Sequence, residues 1–180
     1  MNIQDPHISH SSSKHMQKVD AAGLTDFFKQ IHTLHSMDTI TFLCIGTDRS
    51  SGDALGPLTG SELCGYGVPH VIGTLPLPCD SNNFVANVAN IPKHHIVIAV
   101  DACLGQPNSI GKYIVSHQPL IPAQSVGQAL PAVGNYSVAA VVNANSPKPY
   151  ATLQVTSLFQ VITMARQIAA SVAEGFELIN

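Results

Sequence analysis

The sequence predicts an α/β fold, a three-layer α/β/α sandwich in which a mostly parallel sheet lies between two layers of helices. Two continuous apolar runs, residues 40–45 and 95–100, have the length and β-branched content of strands that are covered on both faces. Segments with apolar residues at helical spacing alternate with the predicted strands along the chain. Right-handed crossovers between such strands give parallel pairing with helices on both faces.

Composition limits the classes of function. The chain has 180 residues, 45% of them hydrophobic, which fits one domain with a full core. Only 11% of the residues are charged and the formal net charge is -3, so the basic stripe typical of nucleic-acid-binding proteins is absent. We therefore expect no nucleic-acid partner, and a protein substrate would be held mainly by backbone and apolar contacts.

The first third of the chain predicts a tail and two helices. Residues 1–20 are rich in Ser, His, Gln and Lys and predict a flexible polar tail, with residues 21–180 forming the domain. This tail lacks the apolar segment of a signal peptide, so we expect a cytoplasmic protein that has no contact with a membrane. Helices are predicted over residues 21–34, where apolar residues recur at helical spacing, and over residues 55–66.

The remaining elements follow from turn residues and periodicity. Short strands are predicted at residues 70–73, 110–116 and 136–142, and a short helix at residues 84–91. The uncharged loop at residues 119–135 is rich in Pro and Gly, which favours a substrate-facing loop over an ordered cover. A long helix begins at Thr152 or Thr156 and ends near residue 176. Because it carries few charges, the sheet or a second copy of the chain must cover it, and a homo-oligomer is therefore one possibility.

Two aspartates follow the two buried strands. Asp53 lies in the polar loop after the first strand, and Asp101 comes directly after the second. The carboxyl ends of neighbouring parallel strands meet at the edge of the sheet where ligands bind, so we expect both carboxylates to lie there. Such a pair either shares a proton, as acid and base, or holds a metal ion. The alternative for Asp53 is a helix N-cap.

These motifs resemble known families. Asp-Ala-Leu-Gly-Pro at residues 53–57, with Ala-Val-Asp-Ala at residues 99–102, resembles the paired signature of the germination protease of endospore-forming bacteria, which degrades small acid-soluble spore proteins. The segment Leu-Pro-Ala-Val-Gly-Asn at residues 130–135 is similar to a third loop of that family. From about residue 40 onward the chain resembles more closely the small YyaC-type sporulation proteins. It also resembles, more distantly, the hydrogenase maturation endopeptidases, which have a three-layer α/β/α fold.

The resemblance implies a sporulation-associated peptidase with a phosphorylase/hydrolase-like fold, in which Asp53 and Asp101 are the catalytic pair. The substrate would be a protein or peptide, such as a small acid-soluble spore protein, in the forespore or spore core. Independently of the resemblance, Gly134 and Asn135 in the loop predicted to face the substrate are expected to bind it, and the alternative for Asn135 is a turn residue. By analogy with metal-binding relatives, His117 is the candidate third ligand. The expected cofactor is therefore none, or a divalent metal at the edge that carries Asp53 and Asp101.

Several alternatives remain open at this stage. The chain is much shorter than the germination protease and shows no equivalent of its acidic propeptide, so control by self-processing is not expected. The function is that of an aspartic-type peptidase, a metal-dependent maturation endopeptidase, or an inactive spore-associated binding or structural protein. Nucleotide-binding signatures and the Gly-x-Ser-x-Gly elbow are absent. The four cysteines form no Cys-x-x-Cys pair, and Cys103 is a nucleophile candidate without an evident base.

Overall fold

A six-stranded sheet forms the centre of the computed structural model, which describes residues 16–122 and 130–178. Its strands are β1 (Met16–Val19), β2 (Ile40–Cys44), β3 (Val71–Ile72), β4 (Ile96–Gly105), β5 (Tyr113–Ser116) and β6 (Tyr136–Ala144). They lie in the order β1-β5-β6-β4-β2-β3. Neighbours from β6 to β3 pair in parallel, and β5 runs antiparallel to both β6 and β1. The prediction of a mostly parallel sheet is confirmed.

Three helices cover one face of the sheet. They are α1 (Ala21–His32), α2 (Leu55–Gly65) and α5 (Leu158–Gly175), and α5 contacts both of the others and β6. Side chains from this layer, such as Phe28 and Ile168, pack against Phe42, Ile98 and Val138 of the strands, and all five are fully buried. The apolar side of α5 is therefore covered within the chain. A second copy of the chain is not needed to cover it.

The opposite face has a thinner layer. It contains the short helix α3 (Phe84–Ala89) and the segments around Leu120 and Val133, which form an isolated bridge. Phe84 and Val133 pack with Leu43 and Ala99 in a second apolar cluster over β2 and β4. The remaining α-helix, α4 (Pro149–Gln154), contacts β6. Helices thus flank both faces, as predicted.

The observed elements differ from the predicted ones in three places. Met16–Val19 lie within the predicted polar tail but form β1, because pairing with β5 stabilises an edge strand whose other side faces solvent. Residues 1–15 of that tail lie outside the described residues. β4 extends beyond Val100 to Gly105 because β6 pairs with it as far as Gly105, so Asp101 lies within a strand. Of the two predicted starts of the C-terminal helix, Thr156 lies close to the observed one and Thr152 lies in the separate helix α4, since Ser157 accepts a hydrogen bond from the Gln160 backbone and begins α5 anew.

Among the described residues, no helix combines the length and apolar content that crossing a membrane requires.

Candidate active site

The loop between β2 and α2 folds back on itself at the carboxyl end of β2. Gly46 has a φ of 149°, and a Cβ atom there would lie 2.0 Å from the carbonyl oxygen of Asp53, so this position requires glycine. The Thr47 backbone amide donates to that same carbonyl oxygen at 3.2 Å, and the Gly46 amide donates to the carbonyl oxygen of Cys79 at 2.9 Å. These contacts fix Asp53 beside the end of the strand.

Asp53 does not cap the helix that follows it. The N-cap of α2 is Ala54, and no side chain makes a capping hydrogen bond there. The helix-cap interpretation of Asp53 is therefore wrong. Its side chain instead lines a large cavity, of about 1020 Å³, which opens over the second face of the sheet.

Asp101 lines the same cavity. β2 and β4 are neighbours in register, with Cys44 opposite Val100, so the residue after Val100 comes close to the loop that follows β2. The Oδ1 atom of Asp101 accepts a hydrogen bond from the Ala102 amide at 2.8 Å. The structure thus brings both predicted aspartates to one cavity at the predicted edge of the sheet.

The environment of Asp53 favours its neutral form. Burial raises the pKa of the Asp53 carboxyl, and the nearby Ser50 hydroxyl partly opposes this effect. Ser50 is only 4% exposed and also lines the cavity. Among the described residues, no group makes a hydrogen bond of regular geometry with the Ser50 Oγ atom. The Asp53 carboxyl group makes none with it either. A buried hydroxyl with unused hydrogen-bonding capacity therefore lies beside Asp53, in a residue that lines the cavity.

Cys103 lies two residues after Asp101 on the same side of β4 and lines the cavity. Burial, together with the negative charge of Asp101, raises the pKa of the Cys103 thiol to about 12. The thiol is therefore neutral near pH 7, whereas a thiol nucleophile reacts as the thiolate. This environment does not favour Cys103 as a nucleophile.

An ion pair stands at the edge of the cavity. The Arg49 guanidinium donates to Asp80 Oδ2 at 2.7 Å and to Thr47 Oγ1 at 3.1 Å. All three residues line the cavity, and Arg49 is the one cationic residue among its described lining residues. Its pairing with Asp80 joins the loop after β2 to the segment before α3. The described lining of the cavity thus contains three carboxyl groups, those of Asp53, Asp80 and Asp101, and one guanidinium group.

The structure does not bring Asn135 and Gly134 to this cavity. The Asn135 side-chain oxygen Oδ1 accepts a hydrogen bond from the Val97 backbone amide at 2.8 Å. The Asn135 backbone amide donates to the Val97 carbonyl oxygen at 2.8 Å. Both residues precede β6, so they lie at the amino end of the parallel strands, away from the aspartates. Asn135 extends the pairing between β4 and β6, which makes its role here structural.

His117 also lies apart from the aspartates. It is exposed at the end of β5, and its ring packs edge-on against Phe27 and Tyr136, with centroid distances of 5.5 and 5.2 Å. Within residues 16–122 and 130–178, no group of three or more His, Cys, Asp or Glu residues is placed to hold a metal ion. The expectation that His117 completes a metal site with the two aspartates is therefore wrong, because β5 directs it elsewhere.

The long loop before β6 contributes to the cavity at both of its described ends. Leu120 and Ile121 at its start and Leu130 at its end line the cavity, and residues 123–129 lie outside the described residues. The cavity floor is formed by side chains that the sequence analysis did not select, among them Ser116, Ser137 and Ala139. The sequence carried a signal for two of them, since Ser137 and Ala139 are small side chains at alternate positions of the strand predicted at residues 136–142.

The comparisons with known proteins agree with this architecture. The family described as "Protein of unknown function (DUF1256)" matches residues 12–171. The chain belongs to this family. It is 37% identical over 179 residues to the uncharacterized protein YyaC of Bacillus subtilis (strain 168), a match that covers 93% of this chain and 83% of YyaC. The predicted resemblance to YyaC-type proteins is confirmed.

A solved structure resembles this DUF1256 chain in fold. It is the crystal structure of a NiFe hydrogenase maturation protease, HycI, from Thermococcus kodakarensis KOD1, with 18% sequence identity and a TM-score of 0.58. The likeness covers 84% of this chain and 99% of HycI. The DUF1256 chain therefore shares the fold of HycI, and the predicted relation to the maturation endopeptidases is confirmed at the level of the fold.

Proposed function

We propose that this protein is a peptidase in which Asp53 and Asp101 activate a water molecule for attack on a peptide bond. One observation carries the proposal: the two carboxyl groups line a single cavity at the carboxyl ends of neighbouring parallel strands. Ligands bind at this edge of open α/β sheets. The fold shared with HycI supports a hydrolytic reaction.

The surroundings of the two carboxyl groups suit different roles. Because burial raises its pKa, Asp53 retains a proton at higher pH than an ordinary aspartate and can donate a hydrogen bond to the substrate carbonyl. Asp101 accepts a hydrogen bond from the Ala102 amide, an arrangement that stabilises the ionised carboxylate. In the proposed reaction Asp101 takes a proton from the attacking water, and Asp53 polarises the scissile carbonyl.

A metal-dependent reaction fits the described residues less well. In the described part of the chain, no third His, Cys, Asp or Glu side chain is placed to hold a metal ion together with the two aspartates. The proposed reaction therefore uses the two carboxyl groups alone. Addition and chelation of divalent cations belong in the first assay, because they separate the two chemistries directly.

The proposed substrates follow from the family resemblance. Small acid-soluble spore proteins are the first proteins to test, and the spore core or forespore is the proposed location. A broad peptide library extends the search beyond them. The competing function is that of a spore-associated protein that binds its partner in the cavity without cleaving it.

The test compares cleavage by wild-type protein with cleavage by Asp53→Asn and Asp101→Asn, using mass spectrometry of the products. Asp48→Asn is the matched control, because Asp48 is exposed, lies in the same loop and does not line the cavity. We expect cleavage by the wild type and by Asp48→Asn, unchanged by chelator, and loss of about a hundredfold or more in the other two variants. Absence of turnover by folded wild-type protein would favour the binding function, and full activity of either cavity variant would overturn the mechanism.

A further inference from the structure

The floor of the cavity extends away from the aspartates across β6 and β5. Strand register places Asp101 opposite Ala139, and Ala139 opposite Ile114. Neighbouring strands lie about 4.8 Å apart, and the side chains of opposed residues are on the same face of the sheet. Ala139 therefore lies directly beside Asp101, and Ile114 lies one strand further away. Ser137 of β6 and Ser116 of β5, which are also opposed in register, form a second row beside Ala139 and Ile114.

The side chains around this floor are mainly apolar. Leu120, Ile121 and Leu130 line the cavity from the loop before β6, and Met16 lines it from β1. Met16 and Ile121 are 68% and 55% exposed, so apolar surface extends to the mouth of the cavity. Since Ala139 has the smallest side chain among the apolar residues of this floor, it leaves open space beside Asp101.

The end of the cavity that holds the aspartates is polar. Within the part of the chain that the structure describes, the buried Ser50 Oγ atom has no hydrogen bond of regular geometry there, and buried polar atoms are almost always hydrogen-bonded, to protein, water or ligand. The excess of carboxyl groups disfavours an anionic ligand. A ligand that fits both ends therefore combines a neutral hydrogen-bonding group with an apolar group.

We propose that the floor formed by Ala139, Ile114, Ser137 and Ser116 is a subsite for an apolar side chain of the peptide substrate, and that Ala139 sets the size it accepts. Ser50 hydrogen-bonds to the backbone of the same substrate residue. This inference rests on the proposed peptidase function, which it deepens by naming the substrate class: peptides with an apolar residue next to the scissile bond.

Binding of capped single amino acids tests the subsite without any need for turnover. The probes are N-acetyl-leucine amide, N-acetyl-phenylalanine amide and N-acetyl-glycine amide, added to the full-length protein and followed by NMR chemical shifts. We expect saturable shifts at the Ala139 and Ile114 methyl groups with the leucine and phenylalanine probes. The glycine probe should bind at least about tenfold more weakly, since apolar groups supply discrimination of this order.

Substitutions of Ala139 test the role of the floor. Ala139→Leu should weaken binding of the leucine and phenylalanine probes by about tenfold or more, because the new side chain occupies the space beside Asp101. Ala86→Leu is the matched control, because Ala86 is exposed on α3 and does not line the cavity. If Ala139→Leu does not fold, Ala139→Val, which adds less volume, should show a smaller loss in the same direction. Equal binding of all three probes, or unchanged binding in the folded Ala139 variant, would overturn the subsite.

Cleavage separates this inference from the proposed function. In a peptide library, the wild type should cleave next to large apolar residues, and the Ala139 variant should shift toward Gly and Ala at that position. Selective probe binding without cleavage by the wild type would overturn the peptidase function while supporting the subsite. Cleavage with no preference for apolar residues would overturn the subsite alone.

Discussion

The Gly52 amide donates a 2.8 Å hydrogen bond to the carbonyl oxygen of Leu153, which joins the loop that carries Asp53 to α4. The neighbouring Ser51 hydroxyl donates to the Gln154 carbonyl at 2.8 Å. Leu153 is 1% exposed and belongs to the main core, so this anchor is rigid. The position of Asp53 therefore depends on a helix that lies a hundred residues later in the chain.

Substitution of Gly52 should disturb this junction. A Cβ atom on Gly52 would lie 2.8 Å from both the carbonyl oxygen and the Cδ2 atom of Leu153, so the loop must shift in Gly52→Ala. We expect the free energy of unfolding, measured in urea, to fall by about 1–3 kcal/mol. Gly65→Ala is the control, because no atom lies within 4 Å of its added Cβ and alanine favours the helix. Equal stability of the two variants would contradict the proposed junction.

Neutralising Asp53 should stabilise the fold. Because the folded-state pKa of Asp53 lies above 3.8, the folded protein binds the proton more tightly than the unfolded chain does. The stability from this group is complete below pH 3.8 and is lost as the pH rises through the folded pKa. Asp53→Asn should therefore unfold at a higher urea concentration than wild type at neutral pH, and the advantage should disappear in acid. A less stable Asp53→Asn variant at neutral pH would show that ionised Asp53 supports the fold.

Acid should weaken the fold through the histidine cluster at the amino ends of β3 and β4. Burial, with the adjacent His70 and His94, lowers the pKa of His95, whose ring centroid lies 4.6 Å from that of His70. The stability from neutral His95 is present above pH 6.5 and is lost as the pH falls through the folded pKa. In His95→Gln, the decrease in melting temperature below pH 6.5 should be smaller than in wild type. An identical pH dependence would exclude this contribution.

The cysteines should differ in their reaction with iodoacetamide. Cys64 is exposed, whereas burial raises the thiol pKa of Cys103 and of the fully buried Cys44 and Cys79. In native protein near pH 7, mass spectrometry should show Cys64 alkylated first and Cys103 much more slowly, with Cys44 and Cys79 protected until unfolding. Rapid alkylation of Cys103 would indicate a thiolate and reopen its role as a nucleophile.

The local patterns predicted the centre of the fold well. β2 and α2 begin at the predicted residues, Ile40 and Leu55, because an apolar run and helical periodicity are properties of short segments. β1 and the antiparallel direction of β5 depend on pairing between distant residues, which composition does not encode. The same limit explains why the junction of Gly52 with Leu153 was not foreseen.

The candidate site was predictable in part for a related reason. Asp53 lies in the loop that follows β2, and Asp101 lies in the carboxyl half of the neighbouring parallel strand β4, so topology brings them together. Asn135 precedes β6, and this position alone placed it at the opposite edge of a parallel sheet. The prediction that Asn135 binds substrate followed from its place in the long uncharged loop and not from this topology. The position of His117 depends on the direction of β5, and that direction is determined by the pairing of β5 with β6.

The most direct test of the account is a double-mutant cycle on cleavage, with Asp53→Asn, Asp101→Asn and the combined variant assayed on one peptide that the wild type cleaves. Two groups that act together on one water and one carbonyl are not additive, since loss of either abolishes the joint reaction. We predict that the combined variant is no slower than the slower single variant. Losses that multiply in the combined variant, or a single variant with wild-type turnover, would contradict a shared role for Asp53 and Asp101.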